Sequence, residues 1–212
     1  MLVHAARLAA SSNLKLAERA AGLAYLAGRC GIYYASRIGD ETTVANIKEL
    51  LQPITSKIDN TRLEQGLTPR ELTRLGSAAG NVSDFNVALS TFGLALAKDP
   101  EFEDAYRLRA ITHLKCDNAN SAADDAEQAL LHNQTTLDRL SAERASLDPR
   151  GRFELEWKDN QIEGRCGRRV SELSVLSEAR AKQGEFEAAE RHFRRAAQLR
   201  PLPLAHWHLA EI

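Results

Sequence analysis

The sequence predicts an all-α protein built from stacked helical hairpins. Apolar residues make up 43% of the 212-residue chain but aromatic residues only 6%, and alanine and leucine dominate the apolar set. Such side chains suit close helix packing better than β-sheet faces, which prefer β-branched and aromatic residues. Apolar residues also recur at helical spacing between turn signals. Finally, the pattern of two short helices joined by a turn returns after about 34 residues.

Composition and charge exclude several classes of protein. The net charge of −1 gives no overall attraction to nucleic acid or to an anionic membrane. No apolar run approaches the roughly 18 to 20 residues that cross a bilayer. The three cysteines are widely spaced and form no CxxC pair, which predicts free thiols in a reducing compartment. We therefore expect a cytoplasmic protein, with a mitochondrial presequence in the basic residues 1–37 as the minor alternative.

Residues 1–67 predict an N-terminal helical region. A first helix, rich in alanine and leucine, is followed by a break at Gly39 and Asp40. Asp40 or Thr42 then opens a second helix, which Pro53 kinks or ends. The region shows no clear repeat, so it forms either divergent repeats or a helical cap.

From residue 68 onward the sequence predicts well-defined helices and turns. Thr68, Pro69 and Glu71 have the spacing of a capping box with proline at the first helical position. The helix that follows is predicted to turn near Gly80 and lead into a second helix, which ends at Asp99 and Pro100. Two short amphipathic helices with a tight turn make a helical hairpin.

The same hairpin pattern returns further along the chain. Pro100 and Pro201 are 101 residues apart, close to three periods of 34. Small residues are expected to let the paired helices approach closely, and Phe92 and Phe193 to fill the space between hairpins. The residues that carry the pattern are Leu72, Leu75, Gly76, Ala88, Phe92, Ala95 and Pro100, then Tyr106, Ala110, Ala122, Ala126 and Ala129, then Leu173, Leu176, Ala189, Phe193, Ala196 and Pro201.

This spacing resembles the tetratricopeptide repeat (TPR) family, whose period is 34 residues. The resemblance implies a TPR-like α-solenoid of stacked hairpins over residues 68–212, after the N-terminal helical segment. The expected repeats are 68–101, 102–135 and 170–203, followed by a terminal helix, 204–212. It also implies that the first helix of each hairpin lines a concave groove that holds a peptide or a partner protein.

Two segments depart from the repeat pattern. Residues 136–169 are a degenerate repeat or an insertion, and Phe153, Leu155 and Trp157 there fit a short strand as well as a helix. The terminal helix contains Trp207, which either caps the last repeat or provides a homodimer contact.

The groove residues are predicted by removing core positions from the first helices. What remains is a mixed polar and apolar set, with Ile111 and Leu114 as apolar anchors and Arg107 and Lys115 as cationic flanks. The full set is Thr73, Ser77, Arg107, Ile111, Leu114, Lys115, Ser174, Glu178, Lys182 and His208.

No motif in the sequence indicates catalysis, a metal site or a cofactor. Phosphate-binding glycine loops and histidine pairs at metal-ligand spacing are missing, and Asp124 and Asp125 are expected on a solvated helix face. The basic run 165–169 lies among acidic residues without a stacking platform, so we expect no nucleic-acid partner. The sequence therefore predicts a non-enzymatic adaptor. The alternative is a chaperone or structural subunit of a larger assembly, such as a bacterial secretion or pilus apparatus.

Overall fold

The computed structural model describes residues 14–55, 64 and 66–199, with side chains from residue 21 to residue 52, at 64 and from 66 to 199. These residues form eight α-helices and no strand. The all-α prediction is confirmed. The helices are α1 (Leu14–Arg37), α2 (Glu41–Thr55), α3 (Pro69–Gly80), α4 (Phe85–Lys98), α5 (Glu103–Lys115), α6 (Ala119–Ala145), α7 (Arg152–Lys182) and α8 (Phe186–Leu199).

Contacts divide the chain into two compact units, Met1–Ala105 and Tyr106–Ile212. In the first unit α1 packs against α2 and α3, and α3 packs against α4. In the second unit α7 packs against both α6 and α8. None of the described helices is long and apolar enough to cross a membrane.

Local sequence explains where the helices begin. The predicted capping box is confirmed: the Thr68 amide donates to Glu71 Oε2 at 2.8 Å, and the Glu71 amide donates to Thr68 Oγ1 at 3.4 Å. Asp40 caps α2, because its Oδ1 accepts from the Thr43 amide at 3.0 Å. The helix it opens runs past Pro53 to Thr55. These caps satisfy amides that have no partner inside the helix.

Four hairpins reverse direction through one local conformation. Gly39, Ser83, Asp117 and Gly184 each have a positive φ, between 55° and 80°. In each case the following amide donates to the carbonyl five residues earlier, as in the Asp84 amide bond to Ala79 O at 3.0 Å. This is the bond of a Schellman turn at a helix C-terminus. Ser83 and Asp117 are 34 residues apart. The 34-residue period of the sequence is therefore also present in the backbone conformation of these two turns.

Small residues allow the paired helices to pack closely. A Cβ atom added at Gly76 would lie 2.7 Å from Cε1 of Phe92, and Phe92 is only 1% exposed. The ring of Phe92 thus lies against Gly76 of its own hairpin. At the α1–α2 contact, a Cβ at Gly28 would lie 2.6 Å from Cδ2 of Leu51. A Cβ at either position would force the neighbouring side chain to shift.

Residues 136–169 are helical wherever they are not a turn. They complete α6 to Ala145 and, after the turn, form the first part of α7 from Arg152. Phe153, Leu155 and Trp157 lie in α7, so the helical alternative is the observed one. Neither boundary of this segment, at 135/136 or at 169/170, interrupts a helix.

Cross-helix polar pairs fix the register of α6 against α7. Residue numbers rise along α6 as they fall along α7, so the two helices are antiparallel over about 36 Å. The pairs are Asn120–Gln183, Glu127–Arg180, Asn133–Glu172, Gln134–Arg169, Glu143–Lys158 and Arg144–Asp159.

The close approach at Gly76 predicts opposite effects for the same substitution at two helix positions. Gly76→Ala should lower the free energy of unfolding by about 1 kcal/mol or more, because overpacking against a buried ring outweighs the gain in helix propensity. Gly93→Ala should raise it by about 0.5–1 kcal/mol, since a Cβ there meets nothing within 4 Å. Urea unfolding followed by circular dichroism measures both. Equal stabilisation by the two substitutions would contradict the packing.

Candidate binding groove

Helices α5 and α7 share one apolar core in the second unit. Ala110 and Leu114 of α5 are buried in a cluster with Val175 and Ala179 of α7, and alanines of α6 complete it. At the C-terminal end, Lys182 Nζ of α7 bonds Asp117 Oδ1, just beyond α5, at 2.6 Å. The shared core therefore holds α5 beside α7, and the exposed ion pair lies at the C-terminal ends of the two helices.

The outer sides of α5 and α7 carry two stripes of predicted groove residues. We call this surface the α5–α7 groove: Arg107, Ile111 and Lys115 on α5, with Ser174, Glu178 and Lys182 on α7. Within each stripe the residues are four apart, so they lie on one face of their helix. Lys115, Glu178 and Lys182 are exposed, and the other three are half-buried.

The side chains of the α5–α7 groove differ in exposure, hydrogen bonding and charge. Ile111 packs partly against the shared core, so only part of its surface is accessible. Ser174 Oγ donates to Val170 O of its own helix at 2.9 Å. Hydrogen bonding to Asp117 raises the pKa of Lys182, which keeps this lysine charged. The groove thus combines an apolar centre with charges of both signs.

Two predicted groove residues lie in the interior instead. Leu114 is 7% exposed and belongs to the shared core, because α7 covers the side of α5 on which it lies. Thr73 of α3 is buried, and its hydroxyl donates to Pro69 O at 2.8 Å. Ser77, also on α3, is half-buried and belongs to the first unit. His208, like Trp207 and the terminal helix, lies outside the described residues.

A partly buried ion pair positions α5 against α6. Arg109 donates from Nε and Nη2 to the two oxygens of Asp125, each at 2.7 Å. Asp125 is 5% exposed, so the prediction of a solvated face is wrong for Asp125, although its neighbour Asp124 is exposed. His113 Nε2 lies 3.7 Å from Asp125 Oδ2. Burial lowers the pKa of His113, which favours the neutral imidazole.

The first unit contains a polar contact that the sequence did not reveal. The guanidinium of Arg29 lies over the rings of Tyr25 and Tyr33, 5.9 and 5.2 Å from their centroids, and donates to the Tyr33 hydroxyl at 2.6 Å. Tyr33 in turn donates to Asp84, the N-cap of α4, at 3.4 Å. Burial raises the pKa of Tyr25 to about 12. Tyr25, Arg29 and Tyr33 are four residues apart in the sequence, and this spacing is the feature from which the contact could be predicted.

The described residues can be searched for metal ligands, reactive thiols and groups that bind a polypeptide. No three histidine, cysteine, aspartate or glutamate side chains in that part of the chain come together as metal ligands. Burial raises the pKa of the Cys30 thiol, which disfavours the nucleophilic thiolate. Charged and apolar groups along α5 and α7 can form ion pairs and apolar contacts with a polypeptide.

Comparison with known proteins assigns no family to this chain. Fold and groove together define an all-α protein of helical hairpins. No protein-family model matches the sequence, and no curated protein matches it. A solved structure titled "Crystal structure of MamA protein" aligns over 81% of this chain and 91% of that chain, with 15% identity and a TM-score of 0.33. At this identity and TM-score the alignment assigns no partner.

The Arg109–Asp125 pair predicts that substitution of Asp125 and of its neighbour Asp124 will change the free energy of unfolding by different amounts. Asp125→Asn should lower the free energy of unfolding by about 1–3 kcal/mol, because it leaves a half-buried guanidinium with one acceptor removed. Asp124→Asn is the matched control and should change stability by less than about 0.5 kcal/mol. Chemical unfolding of both variants tests this. A loss of the same size at Asp124 would show that the ion pair does not stabilise the hairpin.

Proposed function

We propose that this protein is an interaction scaffold that binds a segment of a partner protein in the α5–α7 groove. One observation carries the proposal: α5 and α7, each the first helix of a hairpin, are held side by side by a common core. Their outer faces then form one continuous surface with an apolar centre at Ile111 and exposed charges at Lys115 and Glu178. The proposal assigns no catalytic step.

The physical properties of the groove suit a peptide ligand. A partner side chain resting on Ile111 gains apolar contact, while exposed Lys115 and Glu178 select the charges on either side of it. Both charges are exposed before binding, so each contributes modestly by itself, and complementarity of the whole surface sets the specificity.

A second candidate, a structural subunit of a larger assembly, is supported by a different surface. In the first unit Leu23 and Tyr34 of α1 are exposed about three helical turns apart, and Ile38, in the turn just after α1, and Leu50 of α2 are also exposed. Apolar residues that line up along one helix face are typical of a broad protein interface. In this role the partner would cover α1, and the α5–α7 groove would contribute little.

A charge exchange within the groove separates the two candidates. The double variant Lys115→Glu with Glu178→Lys keeps the net charge but reverses both exposed charges of the groove. Capture of the groove partner from source-cell lysate should fall about tenfold or more, because attraction becomes repulsion at both positions. Quantitative pull-down with the tagged full chain measures the loss.

The matched control is Lys48→Glu with Glu49→Lys, the same exchange at exposed positions of α2. Capture by this control should equal that of the wild type. If the groove variant and the control retain the same partner equally well, the groove proposal is wrong and the assembly role becomes the better account.

A further inference from the structure

The extended part of α6 and α7 carries a second surface, separate from the α5–α7 groove. Phe153, Trp157, Asn160, Gly164 and Arg168 follow one another along α7 at intervals of three or four residues. They therefore lie on one face of that helix. We call this face, together with the cleft that it forms with α6, the arm surface.

The cleft at one end of the arm surface is basic. Its volume is about 340 Å³. Three arginines, Arg139, Arg165 and Arg168, line it together with the amides of Asn160 and Gln161, and no acidic residue is among its lining. Such a lining attracts anionic groups, and arginine pairs well with carboxylates in particular.

Arg139 of the cleft can bond a ligand in addition to its present partner. Arg139 bonds Glu143 at 2.7 Å through one nitrogen, Nη1. A guanidinium carries five N–H donors, so it can hold a second carboxylate without releasing the first. At Gly164 an added Cβ would meet nothing within 4 Å, so α7 leaves open space for a ligand next to these arginines.

The other end of the arm surface is aromatic. Phe153 is 78% exposed and Trp157 is 54% exposed, one helical turn apart. Lys158 Nζ lies 5.0 Å from the centroid of the Trp157 ring. Large aromatic side chains left in water on one face are typical of contact points for a partner. Along the helix axis, Trp157 lies about 10 Å from Gly164 and about 16 Å from Arg168.

We propose that the arm surface binds an acidic segment of a partner polypeptide that also carries a large apolar side chain. The apolar side chain packs on Phe153 and Trp157, and carboxylates occupy the cleft beside Arg139, Arg165 and Arg168. Charge complementarity selects the ligand: the cleft is lined by cations and neutral groups, and the aromatic end supplies apolar area. The segment holds its two kinds of group about 10–16 Å apart, which is two to three turns of a helix.

A polynucleotide fits this surface less well than an acidic polypeptide. Exposed Glu154 and Glu163 of α7 would repel a chain with a phosphate at every step. A polypeptide can place its carboxylates at the cleft alone. The proposal is independent of the α5–α7 groove, because none of its residues belongs to that groove.

The charge of the cleft is tested by two substitutions at one position. Gly164→Glu puts a carboxylate into the open space, and Gly164→Gln puts a neutral side chain of the same shape there. Both residues favour helix similarly, and neither meets a neighbour at Cβ. The probe is a labelled synthetic peptide of glutamate and leucine about fifteen residues long, amphipathic as a helix, titrated with the full chain by fluorescence anisotropy.

Gly164→Glu should bind this peptide about tenfold more weakly than Gly164→Gln. The version of the peptide with lysine in place of glutamate should bind the wild type at least about tenfold more weakly than the acidic peptide. Equal binding of the two Gly164 variants, or of the two peptides, would overturn the proposal. So would displacement of the acidic peptide by single-stranded RNA at a concentration where a second acidic peptide does not compete.

The aromatic end of the arm surface is tested by an alanine substitution and a matched control substitution. Trp157→Ala should weaken binding of the acidic peptide several-fold, because the apolar side chain loses its contact. Phe186→Ala, at a comparably exposed aromatic residue of α8, should leave binding unchanged. The charge exchange at Lys115 and Glu178 should also leave binding of the acidic peptide unchanged. Failure of the arm-surface proposal is therefore distinguishable from failure of the groove proposal. Equal losses at Trp157 and Phe186 would contradict the arm surface.

Discussion

The hairpins of this protein depend on very small residues at the points where paired helices meet. Gly76 lies against the buried ring of Phe92, and Gly28 lies against Leu51, so an added Cβ at either position would displace the neighbouring side chain. In the second unit alanines of α5 and α6 play the same part around Leu114 and Leu176. Protein interiors are packed nearly as densely as crystals, so helix separation must match side-chain volume closely. That separation decides which residues face outward, and therefore which can meet a partner.

The turns between helices impose a second constraint on the fold, because each turn places one residue in the left-handed conformation. Reversal within three or four residues needs one residue in the left-handed conformation, and Ser83, Asp117 and Gly184 supply it in three hairpins. Different side chains adopt the same backbone because the Schellman bond and the next helix cap satisfy the local polar groups. Gly39 makes the same turn between α1 and α2, in a region whose sequence shows no clear repeat. Backbone geometry thus recurs where side-chain identity does not.

Short-range chemistry made much of the fold predictable, whereas burial of particular side chains depended on tertiary partners. The capping box at Thr68 and the break at Gly39 follow from residues within one turn of each other. The sequence predicts Leu114 in the groove because it does not show that α7 covers that side of α5. The sequence predicts Asp125 in solvent because its partner, Arg109, lies on another helix. The sequence does not decide whether residues 136–169 are helical, because Pro149 and Gly151 break the pattern and Phe153, Leu155 and Trp157 also alternate.

The central claim is that a partner polypeptide lies against the outer faces of α5 and α7. Site-specific photocross-linking in source cells tests it most directly, with a photoreactive amino acid in place of Glu178 and, as the reference, in place of Leu131, which is exposed on α6. The account predicts that one defined partner is cross-linked from position 178 and not from position 131, and that the partner peptide recovered contains a large apolar residue. Cross-linking of the same partner from both positions, or from position 131 alone, would contradict it.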